Sequence, residues 1–126
     1  MAGIAFVASD GGTLQSKNFN EVVLLRLNVV EPGVYVVFGR VVVANHNFAI
    51  RAARGRITHA DGSRVVDSVE VTLASGCSQT LHLQGPLRVP TGGSEIVDIR
   101  CSGFDGDGAK SSLFAVQVDQ LRLSTL

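Results

Sequence analysis

Apolar and polar side chains alternate with the period of two that marks β-strands, and no stretch shows the 3.6-residue spacing of an amphipathic helix. The strongest segment is residues 32–44, a β-branched and aromatic run opened by a Pro-Gly turn signal. Tyr35, Val37, Gly39, Val41 and Val43 point to one side of it; Val34, Val36, Phe38, Arg40 and Val42 point to the other. Both sets are mostly apolar. A strand with one solvated face would alternate with polar residues, so this one is expected inside a sheet with its second face covered as well. In a chain too small for a third layer, the cover is expected to be another copy of the chain.

Further strands follow the same pattern. Residues 22–29 direct Val23, Leu25, Leu27 and Val29 inward. Residues 50–59 carry Arg51, Arg54 and Arg56 and meet Asp61-Gly62, a type I′ hairpin signal, before residues 64–73. There Val65, Val69, Val71 and Leu73 share one face, opposite Ser68, Glu70 and Thr72. Residues 78–89 bury Leu81, Leu83, Leu87 and Val89, and Pro86 requires an edge or a bulge. With a short first strand at 3–9, a seventh at 94–101 and a last near 112–123, about eight strands recur at roughly ten-residue spacing. The expected fold is all-β: one domain over residues 1–126, a two-sheet antiparallel β-sandwich of jelly-roll type.

Charge narrows the partners. Eleven basic and eleven acidic side chains leave no net charge to favour nucleic acid or an anionic membrane, and no apolar run reaches the ~18 residues of a membrane span. The N-terminus has no basic region before its apolar residues and meets Asp10 early, so a signal peptide is not expected. The site of action stays open, with synthesis in the cytoplasm. Of the two cysteines, Cys101 follows the core parity of Val97 and Ile99 and Cys77 lies in a polar turn. One core thiol and one loop thiol, rather than a disulfide, are expected.

The same stretches resemble the tumour-necrosis-factor-like jelly roll, the superfamily that includes the globular heads of the first complement component. The likeness rests on the Pro32-Gly33-Val34-Tyr35 opening, the late strand Glu95-Ile96-Val97-Asp98-Ile99 and the last strand Ser112-Leu113-Phe114-Ala115-Val116. The resemblance implies a ten-stranded sandwich that packs as a homotrimer through the sheet holding the Tyr35 strand and the terminal strand. Val34, Val36, Phe38 and Val42 are then the interface residues. Among members of this shape, the chain is similar in style to small bacterial and phage proteins, some of them trimeric lectins that bind sugars between subunits.

Catalytic patterns are absent. No Gly-x-Ser-x-Gly elbow occurs, no histidine or cysteine is paired at zinc-ligand spacing, and no Gly-rich loop opens a phosphate-binding helix. No cofactor is expected. Asp105 and Asp107 form a weak calcium candidate, since two carboxylates on a Gly-rich turn also suit a solvated turn. Alternating jelly-roll connections are expected to gather Asn45, His46 and Asn47 with residues 75–77 and with Asp105 and Asp107 at one end. These side chains can hydrogen-bond sugar hydroxyls. Arg54 and Arg56 share a strand face and suit an anionic or glycan ligand, or serve as charge against edge-to-edge aggregation. The function read from the sequence is a non-enzymatic homotrimeric module, lectin-like, with glycan as partner. The alternative is a structural or adhesive trimer, a tip, knob or decoration of a virion, fibre or cell surface.

Substituting Val36 or Phe38 by Asp should dissociate the oligomer by placing an unpaired charge in the interface, whereas Ser68→Asp should leave its mass unchanged. Light scattering on a sizing column reads the difference, and a Phe38→Asp chain of unaltered mass would remove the interface assignment.

Overall fold

The computed structural model describes residues 5–10, 21–45, 49–103 and 110–118. Its described strands are β1 (Ala5–Asp10), β2 (Val22–Val29), β3 (Gly33–Ala44), β4 (Arg51–His59), β5 (Arg64–Leu73), β6 (Ser78–Val89), β7 (Glu95–Ser102) and β8 (Lys110–Val118). They form two four-stranded sheets, ordered β1-β8-β3-β6 and β2-β7-β4-β5, with every pairing antiparallel. This is a jelly-roll sandwich.

β3 lies between β8 and β6, the interior position its two apolar faces require. Its inner side chains Tyr35, Val37, Val41 and Val43 are fully buried. From the opposite sheet, Ile57, Val97, Ile99 and Cys101 join them in one core. Removing a side chain of this size from water stabilises the fold by about 1.5–3 kcal/mol, so the interleaved aliphatics are the main source of stability. Tyr35 brings a polar atom inside, and its hydroxyl donates to the Glu31 carbonyl at 2.7 Å.

The turns follow the chemistry of their residues. Asp61 and Gly62 occupy the two central positions of the β4–β5 turn with φ of 56° and 83°, and Ser63 N–H closes it on the Ala60 carbonyl at 3.1 Å. Ala60 before them also has positive φ, 52°, so the four-residue reversal runs through three left-handed residues, a conformation that Asp and Gly tolerate best. Pro86 sits on β6, an edge strand, where a missing N–H interrupts no ladder on the open side. Gly85 beside it permits a close approach between the sheets, since a Cβ there would stand 2.5 Å from Val66 Cγ1.

Two bulges correct the simple alternation. A register shift between Val23 and Leu25 turns Leu24 into the core and leaves Leu25 half-buried. A second, between Ile57 and Thr58, leaves Val65 51% exposed and packs Val66 against the core instead. An extra residue in one strand of a pair reverses the parity beyond it.

Asn45 is a third correction to its expected place. It directly follows β3 as a buried residue, and its Nδ2 donates to the carbonyls of Ala49 at 2.8 Å and Leu73 at 3.0 Å. Its backbone N–H reaches the Cys77 carbonyl at 2.9 Å, and its carbonyl accepts from Gly76 N–H at 2.8 Å. Side chain and backbone of one residue thereby join the end of β3 to the segment after it, to the end of β5 and to the β5–β6 turn. The Asn45→Ala variant strands the buried Leu73 carbonyl and should lose about 1–3 kcal/mol of unfolding free energy in urea titration.

Candidate functional site

The strand ladders place Arg54 and Arg56 on the outer face of the β2-β7-β4-β5 sheet, as their shared parity requires. The structure gives them a partner that lies far away in sequence. Glu21, just before β2, accepts from Arg56 Nε at 2.8 Å and from Arg56 Nη2, and stands 3.9 Å from Arg54 Nη2. Guanidinium donors and carboxylate acceptors are thus set side by side. Arg56 is held in a fork while Arg54, 46% exposed, keeps donors toward water.

Beside this pair lies a buried carboxylate. Asp98 of β7 belongs to the outward parity yet is only 1% exposed. Arg100 grips it through Nε at 2.9 Å and Nη2 at 3.0 Å, Thr58 Oγ1 donates to it from β4, and Arg26 Nε of β2 stands 3.7 Å away. Hydrogen bonding to Asp98 outweighs the opposing desolvation and holds the Arg100 guanidinium above its ordinary value. Arg26 and Arg100 also reach Asp61 in the β4–β5 turn, at 3.7 and 3.8 Å, which ties the hairpin to this face. Sequence alternation alone marks Asp98 and Arg100 as ordinary outward residues. Only the register, which sets Thr58 and Arg26 opposite Asp98, makes them a network.

The other sheet presents a different surface. On its outer side Val34, Val36, Phe38 and Val42 of β3 are all half-buried, and none belongs to the sandwich core. Phe38 faces Phe114 across the β3–β8 ladder, and the rings stack with centroids 5.0 Å apart. Val36 faces Val116 in the same way. The patch extends across two strands.

Among the described residues, no group of three or more His, Cys, Asp or Glu side chains could hold a metal ion. His46, Asn47, Asp105 and Asp107, expected at one end of the sandwich, lie outside the described residues. Asn45 does meet residues 76 and 77 at one end, as the topology requires, but its amide faces inward. Both cysteines are free thiols, with Cys77 exposed and Cys101 buried. Burial is the main cause that pushes the Cys101 thiol up to about 12, so it is not a nucleophile at neutral pH.

No family model and no curated protein matches the sequence. Solved structures do. The chain is similar to the globular domain of zebrafish complement 1qA protein at 16% identity, with a TM-score of 0.50 over 94% of this chain and 99% of that one. It is also similar to Eiger TNF from S. frugiperda at 13% identity, with a TM-score of 0.58 over 100% of this chain and 99% of that one. The chain has the tumour-necrosis-factor and complement globular-head fold. In this jelly roll the outer face of β1-β8-β3-β6 is apolar at its centre and the outer face of β2-β7-β4-β5 carries the ion pairs.

Asp98→Ala would leave the Arg100 guanidinium and the Thr58 hydroxyl without their acceptor. It should destabilise the chain by about 3–5 kcal/mol in urea titration, whereas Glu21→Ala, at a more open pair, should cost about 1 kcal/mol or less.

Proposed function

We propose that the chain is a non-enzymatic binding module that works as a homotrimer, closed through the outer face of β1-β8-β3-β6. The observation that carries this reading is the apolar strip of Val34, Val36, Phe38 and Val42 continuing into Phe114 and Val116. An exposed apolar strip of this kind marks an interaction surface. A second copy supplies its cover more simply than an unrelated partner, because a closed ring of like subunits satisfies every strip at once. The fold shared with the tumour-necrosis-factor superfamily supports the same assembly.

Carbohydrate is the partner class we assign, met at loops or subunit seams. The Arg54–Glu21–Arg56 group, on the outer face of β4 and away from the proposed seam, is a further candidate place for it, since vicinal sugar hydroxyls are bonded by donors and acceptors set side by side. Threefold repetition raises the avidity of shallow sites without new contacts.

Light scattering should give the mass of three chains, and a glycan array should retain the wild-type protein while Arg54→Ala weakens retention. A stable monomer would overturn the assembly, and a trimer with no glycan retained would leave the structural or adhesive role in its place.

A further inference from the structure

On the outer face of β1-β8-β3-β6 the apolar strip of β3 and β8 borders polar side chains of β6, and a depression lies where the two meet. The ladders set two rows of outward side chains next to each other: Gln84, Phe38 and Phe114 in one, His82, Arg40 and Ser112 in the other. Between them, over the backbone of Gly39 and Leu83, lies a depression of about 540 Å³. That volume is within the range of small-molecule sites. Its two sides differ in chemistry. One is the stacked Phe38–Phe114 pair, and the other brings a guanidinium, an imidazole and a hydroxyl onto adjacent strands, where opposed Cβ atoms stand about 4.5–5.5 Å apart.

Arg40 has no carboxylate within ion-pair distance among the described residues, unlike Arg26, Arg54, Arg56 and Arg100 on the other sheet. The carboxylate at the neighbouring edge, Asp67, accepts the backbone N–H groups of Ser68 and Gln84, each at 2.9 Å. An arginine beside a stacked aromatic pair, in a concavity with no acid within ion-pair distance among the described residues, offers an anion open donors next to an apolar wall. If copies of the chain close over this face, the need for an anion grows, because a guanidinium enclosed between subunits without a counter-charge is strongly destabilising.

We propose that this depression binds a small organic carboxylate with a flat apolar body. The carboxylate takes the two-pronged donor face of Arg40, with His82 and Ser112 as further donors, and the body lies against Phe38 and Phe114. A free aromatic acid has this chemistry, and a uronic acid shares the carboxylate and presents the C–H face of its ring as the apolar side. The site is complete within one copy. It goes beyond the assembly proposed above and does not require it: in a trimer the ligand occupies a seam, and in a monomer it is open to water.

The test is calorimetric titration of the full chain with sodium benzoate and with sodium glucuronate, using benzamide and glucose as uncharged counterparts and light scattering on the same samples. Saturable binding of either acid, with its uncharged counterpart bound at least about tenfold more weakly, is expected. Arg40→Gln should weaken the acid about tenfold or more, while Arg64→Gln, an exposed charge elsewhere, should stay within about twofold. A preference for benzoate assigns the site to free aromatic acids, and a preference for glucuronate assigns it to acidic sugars. No saturable binding, equal binding of acid and uncharged counterpart, or equal losses in the two arginine variants would each overturn the proposal. A trimer that binds neither acid removes the site and leaves the assembly standing, whereas a monomer that binds does the reverse.

Discussion

The structure depends on the interleaving of two aliphatic layers, centred on the inner face of β3. Tyr35, Val37, Val41 and Val43 are sealed from water by Ile57, Val97 and Ile99 of the opposite sheet. β-branched residues suit this contact because their side chains are stiff and pack well on a pleated surface. The antiparallel ladders hold the backbone polar groups, so the interior carries little that must be hydrogen-bonded except where the chain turns. At those places the fold uses single polar side chains: the Tyr35 hydroxyl on Glu31 and the Asn45 amide on Ala49 and Leu73. Each ties a loop to the sandwich.

The same layer arrangement separates the two outer faces by chemistry. The β2-β7-β4-β5 face is ionic and internally matched, with Asp98 clamped by Arg100 and Thr58, and Glu21 clamped by Arg56. A face whose charges satisfy one another has little drive to associate through apolar contact. The β1-β8-β3-β6 face is apolar at its centre, and Arg40, which borders that centre, lacks an acid within reach among the described residues. One side of the sandwich therefore carries the charge pairs, and the other an apolar strip with an arginine that has no acid beside it. The proposed assembly and the proposed anion site use these two features separately.

Much of the fold was legible because a period of two is a local property. The interior position of β3, the core parity of Leu81, Leu83, Leu87 and Val89, the edge placement of Pro86 and the Asp61-Gly62 hairpin all followed from neighbours in sequence. The bulges did not. They insert one residue without changing composition, and so Leu24 and Val66 moved inward against the simple reading. Asn45 shows the same limit at the level of function. Its type suits a ligand-facing loop, yet the carbonyl of Leu73, twenty-eight residues away, draws its amide inside.

By itself the sequence determined an all-β chain, the alternation that makes a two-layer sandwich, and a central strand with two apolar faces. These are set by the spacing of side chains along one strand. Tertiary structure alone decided which charges meet. Glu21 reached Arg56 and Thr58 reached Asp98 through register, and Arg40 came to stand between His82 and Ser112 beside the Phe38–Phe114 pair. The physical reason is that a ladder joins residues tens of positions apart at a few ångströms, and the electrostatics and shape of a site exist only at that distance.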